Sequence, residues 1–105
     1  MPNAITIVSF KLKKGTSVSD FLHASEKLYK EFSSKQKGLI SWQQLVCGEV
    51  WTDLIYWETM DDALENAKAC AGSTCPILHE YFAFIPEGNV NFNHHFSVER
   101  NYQQP

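Results

Sequence analysis

Asp53 and Trp57 stand four residues apart in the run VWTDLIYWE, whose β-branched and aromatic content predicts a strand. Four residues along a strand return a side chain to the same face, so this spacing sets a carboxylate beside an indole. A carboxylate withdrawn from water holds its proton more tightly, and it could then hold a substrate hydroxyl or act as a base. The competing reading is structural, with Asp53 bonded to a backbone or Trp N–H and Trp57 simply core. His79 offers an imidazole that could ligate a metal or move a proton, or it could be a half-exposed residue on a connecting turn. His94 and His95 are neighbours in a strand-like run and so point to opposite faces. His94 joins Phe92 and Phe96, whereas His95 joins Asn91 and Asn93. If the second face lines a pocket, Asn91, Asn93 and His95 supply polar anchors for an oxygenated aromatic ligand. Sequence leaves that parity open. Asp53, His79 and His95 are the candidate proton handlers.

Cys70, Cys75 and His79 follow at spacings of five and four. They lack a fourth ligand and the short Cys-x₂-Cys loop of structural zinc, so no metal site is predicted. Cys70 fits an apolar helix stripe as a small hydrophobe. Cys75 has no neighbouring cation in sequence to activate its thiol. There is no Gly-rich phosphate loop and no G-x-S-x-G elbow, which argues against nucleotide-dependent chemistry and triad hydrolysis. No cofactor is predicted. Trp42, Trp51 and Trp57, with Phe21, Tyr29 and Tyr81, could form an aromatic wall. Three Trp on one sheet face are hard to bury fully in a small domain, so some cavity is expected there. Trp42 and Trp57 would clamp a ligand, with Tyr81 beside them.

The elements that must position these residues are legible. Ala4–Leu12 reads as a strand, and Ser17 with Asp20 caps a helix over Val18–Ser34. Gly38 closes the connection to a strand at Leu39–Cys47. A two-residue turn at Gly48 leads to a strand at Val50–Glu58. That turn puts Ile40, Trp42, Gln44 and Val46 on one face with Trp51, Asp53, Ile55 and Trp57; a bulged turn would exchange the partners. Thr59 with Asp62 caps a second helix with a narrow stripe of small residues, ended by Gly72. Pro76 opens a short helical turn to about Phe82. Val90–Val98 alternates as a last strand.

The order βαββαβ is the ferredoxin-like split unit, an α+β fold with a four-stranded antiparallel sheet. Both sheet faces carry apolar residues. Helices of the same chain can cover one; the other needs a second chain or a ligand. At 105 residues the chain is expected to be one domain over 1–105, with an apolar fraction of 44% typical of globular proteins. A net charge of −3 argues against nucleic-acid binding. No apolar run is long enough to span a bilayer, and no signal peptide is expected. Three cysteines are too few for a disulfide framework, which makes the cytoplasm the expected location.

The run WTDLIYWETMDDAL, at Trp51–Leu64, resembles the third-strand and second-helix signature of the dimeric α+β barrel proteins. It is most similar to the antibiotic-biosynthesis-monooxygenase-like branch. The resemblance implies two sheets packed face to face between subunits, and a small-molecule pocket between each sheet and its own helices. Some cofactor-free monooxygenases of that group carry an Asn and a Trp at the spacing of Asp53 and Trp57; Asp53 departs from the Asn. Haem-degrading members have an iron-ligating His in a place comparable to His79, a Trp in the second helix and an Asn near the first strand. Asn3 loosely matches the last of these, but Asn66 stands where that Trp is expected, which argues against haem degradation.

The expectation is therefore a homodimer, associating through the sheet face, that binds a small aromatic ligand. Its reaction would be cofactor-independent oxygenation of an aromatic or quinol-type substrate. The alternatives are a non-catalytic, ligand-binding or stress-related dimer, and a structural dimer with a filled core.

Overall fold

The first strand alternates strictly. Ala4, Thr6, Val8 and Phe10 fall on one face, and Ile5, Ile7 and Ser9 on the other. In a computed structural model, which describes residues 3–86 and 90–104 (backbone only for 90–93), this segment is β1, Ala4–Lys11. The chain continues with α1 (Val18–Glu31), a 3₁₀ turn (Ser33–Lys35), β2 (Leu39–Cys47) and β3 (Val50–Trp57). Then come α2 (Met60–Ala71), α3 (Pro76–Phe82) and β4 (Val90–Ser97). The strands form one antiparallel sheet in the order β2-β3-β1-β4.

The caps explain the helix starts. Ser17 Oγ accepts from the Asp20 N–H, and Thr59 Oγ1 accepts from the Asp62 N–H at 3.0 Å. α1 buries Phe21, Ser25 and Leu28, a stripe at i, i+4 and i+7. It stops three residues before the predicted Ser34. Phe32 leaves helical geometry, and Ser34 Oγ donates to the Lys30 carbonyl, so the last turn tightens into 3₁₀ form. Tyr29, expected in an aromatic wall, is instead exposed, as are Val18 and Leu22.

The hairpin has the two-residue turn, with Gly48 at φ 59°. Trp42 sits opposite Ile55, Gln44 opposite Asp53, and Val46 opposite Trp51. One residue departs from the predicted alternation. A bulge at Ile40 shifts the register, so Leu39 rather than Ile40 pairs with Trp57. Ile40 is accordingly exposed. In β4 the parity is settled by β1: His95 lies opposite Thr6 on the helix-covered face, and His94 lies opposite Ile7 on the bare one.

The helix-covered face does not close into a single core. One buried cluster joins Phe10, Phe21, Leu28, Trp51, Leu78, Tyr81 and Ile85 under α1 and α3. A second joins Ala4, Trp57 and Ala63 under α2. The opposite face leaves Leu45, Val50 and Phe96 exposed beside Ile5, Ile7, Leu54 and Tyr56. Among the described residues no helix is long and apolar enough to cross a membrane.

Gly38 has φ 79°, and a Cβ there would run into the Asp62 side chain, which α2 holds over the β2 entrance. Gly15 has φ 78° but open space around it. We expect Gly15→Ala to cost about 1 kcal/mol and Gly38→Ala a further 1–2 kcal/mol, because strain and overlap add only at the second site. Urea denaturation of the two variants checks the difference.

Candidate active site

Between the two buried clusters lies a cavity of about 420 Å³. The sheet supplies its floor through Thr6, Val8, Phe10, Asp53, Ile55, Trp57 and His95. α2 contributes Asn66, Ala67, Cys70 and Ala71, and α3 contributes Leu78 and Tyr81. Space exists because α2 faces the sheet with small side chains. The lining is mostly apolar with a few convergent polar groups, the usual make-up of a small-molecule site.

Asp53 is 5% exposed, on the central strand β3. Its Oδ2 accepts a 2.6 Å hydrogen bond from the Tyr81 hydroxyl. Its Oδ1 is buried and has no hydrogen-bond partner among the described residues. Trp42 Nε1 is likewise buried and unpaired. Burial pushes the Asp53 carboxyl up to about 6, against the opposing pull of Tyr81, Trp42 and Gln44. Trp42 and Gln44 act there as nearby dipoles without completing hydrogen bonds; the Gln44 amide instead donates to Ser25 Oγ at 3.0 Å. The Tyr81 hydroxyl is pushed well above its ordinary value by burial and by the adjacent Asp53 charge, so it stays protonated and donates.

A second polar group lies on the same floor. Trp57 Nε1 donates to Thr6 Oγ1 at 3.0 Å, and Thr6 Oγ1 is 2.8 Å from His95 Nδ1. Burial, with a smaller contribution from His94, lowers the His95 pKa. The ring is therefore neutral near pH 7, and the Thr6 hydroxyl, which accepts from Trp57, is free to donate to Nδ1.

Of the residues picked out by spacing, the cavity gathers Asp53, His95, Trp42, Trp57 and Tyr81. His79 is exposed on α3 and is not among the residues that line the cavity. The side chains of Asn91 and Asn93 lie outside the described residues. Cys70 donates weakly to Asn66 Oδ1, and no group of three metal-ligating side chains gathers among the described residues. Thr6, Gln44 and Ser25 were not foreseen as site residues. Thr6 had a readable signal, as the one hydroxyl in the stripe Ala4, Thr6, Val8, Phe10.

Solved structures share this arrangement of elements. Two structures of SnoaB, a cofactor-independent oxygenase from Streptomyces nogalater, superpose with TM-scores of 0.74 and 0.73. They are 13% and 10% identical, over 99% of this chain and 100% of theirs. The chain shares the α+β fold of these structures, a four-stranded antiparallel sheet with its helices on one face. A Caulobacter crescentus protein provisionally named an antibiotic biosynthesis monooxygenase has a TM-score of 0.67 at 12% identity, over 94% of this chain and 92% of that one. A dimeric ferredoxin-like protein from an uncultured marine organism also scores 0.67, at 9% identity, over 100% and 95%. No family model and no curated protein matches the sequence.

The Asp53 shift fixes the sign of a stability effect. The folded carboxyl binds its proton more tightly than the unfolded one, whose ordinary value is 3.8. Its contribution is fully present below about pH 4 and is lost as pH rises through about 6. The 3.8-to-6 displacement corresponds to about 3 kcal/mol. Asp53→Asn keeps an acceptor for Tyr81 and cannot ionise. It should therefore gain about 3 kcal/mol on the wild type between pH 4 and pH 7, measured by urea denaturation across that range. A constant difference between the two proteins would show that Asp53 does not titrate in this window.

Proposed function

We propose that this chain is a subunit of a homodimer that binds a small aromatic carbon acid in the cavity and oxygenates it without a cofactor. The observation that carries the reading is Asp53. It is a buried carboxyl with one oxygen held by Tyr81 and the other unpaired beside the unpaired Trp42 Nε1, in a mostly apolar cavity. A carboxylate whose pKa is raised to about 6 is ionised at pH 7 yet basic enough to accept a proton there. The fold of SnoaB, a cofactor-independent oxygenase, supports the same reading.

The steps balance with dioxygen as the only oxidant. Asp53 takes a proton from an activated CH₂ of the substrate, leaving a delocalised carbanion whose oxygen terminus Trp42 Nε1 can stabilise. That carbanion gives its electron pair to O₂ and forms a C–O bond. The resulting peroxide anion takes the proton back from Asp53. The hydroperoxide then loses water, so R₂CH₂ and O₂ become R₂C=O and H₂O. The apolar lining keeps bulk water from protonating the carbanion. The exposed apolar face formed by Leu45, Val50 and Phe96 is where a second copy packs.

Anthrone, a planar carbon acid whose enol is an arenol, is a suitable probe. Enzyme-dependent oxygen uptake with anthrone should rise with pH through about 6, following ionisation of Asp53. Asp53→Asn should lower the rate 10²- to 10⁴-fold, while His79→Ala, outside the cavity, should leave it unchanged. An oxygen electrode corrected for autoxidation checks both. Binding of anthrone without enzyme-dependent uptake would instead identify a ligand-binding protein.

A further inference from the structure

The site above uses one end of the cavity floor. Its other end carries His95, held through Nδ1 by Thr6, which is held in turn by Trp57. Trp57 and Thr6 are both buried, at 1% and 6% exposure, so this is a fixed arrangement rather than a surface contact. The ring's Nε2 makes no hydrogen bond among the described residues, although His95 lines the cavity. An imidazole oriented through one nitrogen by an inner shell leaves the other as a directed polar group.

We infer that the Trp57–Thr6–His95 chain is a second recognition station, and that the cavity takes an elongated planar ligand with an oxygen at each end. This rests on the reading of Asp53 as the first station. The sheet register sets the span. Asp53 lies opposite Val8, His95 lies opposite Thr6, and β1 runs between them. Two strand spacings across and one same-face step along put the two Cα atoms on the order of 12 Å apart. A single-ring phenol reaches one station; a fused-ring diol reaches both. Neutral His95, accepting from Thr6 at Nδ1, presents an Nε2–H donor to the remote oxygen. Thr6 is a positioning residue in this arrangement, since it acts only through the ring it orients.

The test compares 2-naphthol with 2,6-dihydroxynaphthalene by calorimetry under anaerobic conditions, on the intact protein. The diol should bind at least tenfold more tightly than the mono-ol. His95→Ala should abolish that advantage and leave 2-naphthol within twofold of wild type, which also shows that the variant is folded. Thr6→Val should reduce the advantage by severalfold through loss of ring orientation, again without moving 2-naphthol. His95→Phe, which keeps a ring, should behave as His95→Ala. Equal binding of the two probes, or an advantage that survives both His95 variants, would overturn the second station while leaving Asp53 in place. If Asp53→Asn leaves the binding of both probes unchanged, the first station falls, and this inference falls with it.

Discussion

The 2.6 Å hydrogen bond from Tyr81 to Asp53 ties α3 to the central strand of the sheet. Both groups are buried, and each makes the other tolerable. The carboxylate needs a donor to offset lost hydration, and a buried phenol needs an acceptor. Tyr81 in turn packs edge-on against Phe10 and Trp42, with Phe21 tilted beside it. This contact thus helps to seat α3 and one wall of the cavity, and it opposes the upward push of burial on the Asp53 carboxyl. Phe21 continues the aromatic stack to Trp51 at 5.0 Å, so α1 is held by the same cluster.

The second cluster owes its separateness to α2. Its stripe of Ala63, Ala67, Cys70 and Ala71 brings the helix close to the sheet at Ala4 and Trp57 but leaves space toward Tyr81. Cys70 on α2 still packs against the first cluster, and a polar contact also bridges the cavity wall. Asn66 Nδ2 on α2 donates to Gln36 Oε1 on the segment before β2. A ligand seated between them would add the apolar contacts that the domain itself lacks, which is how a small domain can keep a cavity of this size and remain folded.

Most of the architecture is readable because its signals are local. Ser17 and Thr59 cap, Gly48 turns, and Pro76 starts α3, each within a few residues of the feature it controls. Long-range facts are not. Tyr81 reaches Asp53 across 28 positions, and nothing in either segment names the other. The parity of β4 depends on its pairing with β1, 89 positions from Thr6 to His95, with a register irregularity between Ile7 and Ser9. Only that pairing separates His95 on the cavity floor from His94 on the bare face. Helical spacing also overstates burial. Tyr29 fits the stripe of α1, yet Phe21, Ser25 and Leu28 alone fill the narrow contact with the sheet. His79 looked chemically able in sequence, but α3 turns Leu78 and Tyr81 inward and leaves His79 in solvent.

Asp53 is hard to explain by stability. Ionised at neutral pH in that environment, it costs about 3 kcal/mol relative to an exposed carboxylate, a large share of the 5–15 kcal/mol typical of a whole domain. An asparagine would satisfy Tyr81 without that penalty. One oxygen in a mostly apolar cavity with no completed hydrogen bond is unlike a structural carboxylate, which is surrounded by N–H groups that hold its pKa low. A group that weakens the fold and is left half-paired at the floor of a cavity is placed to meet something that enters that cavity.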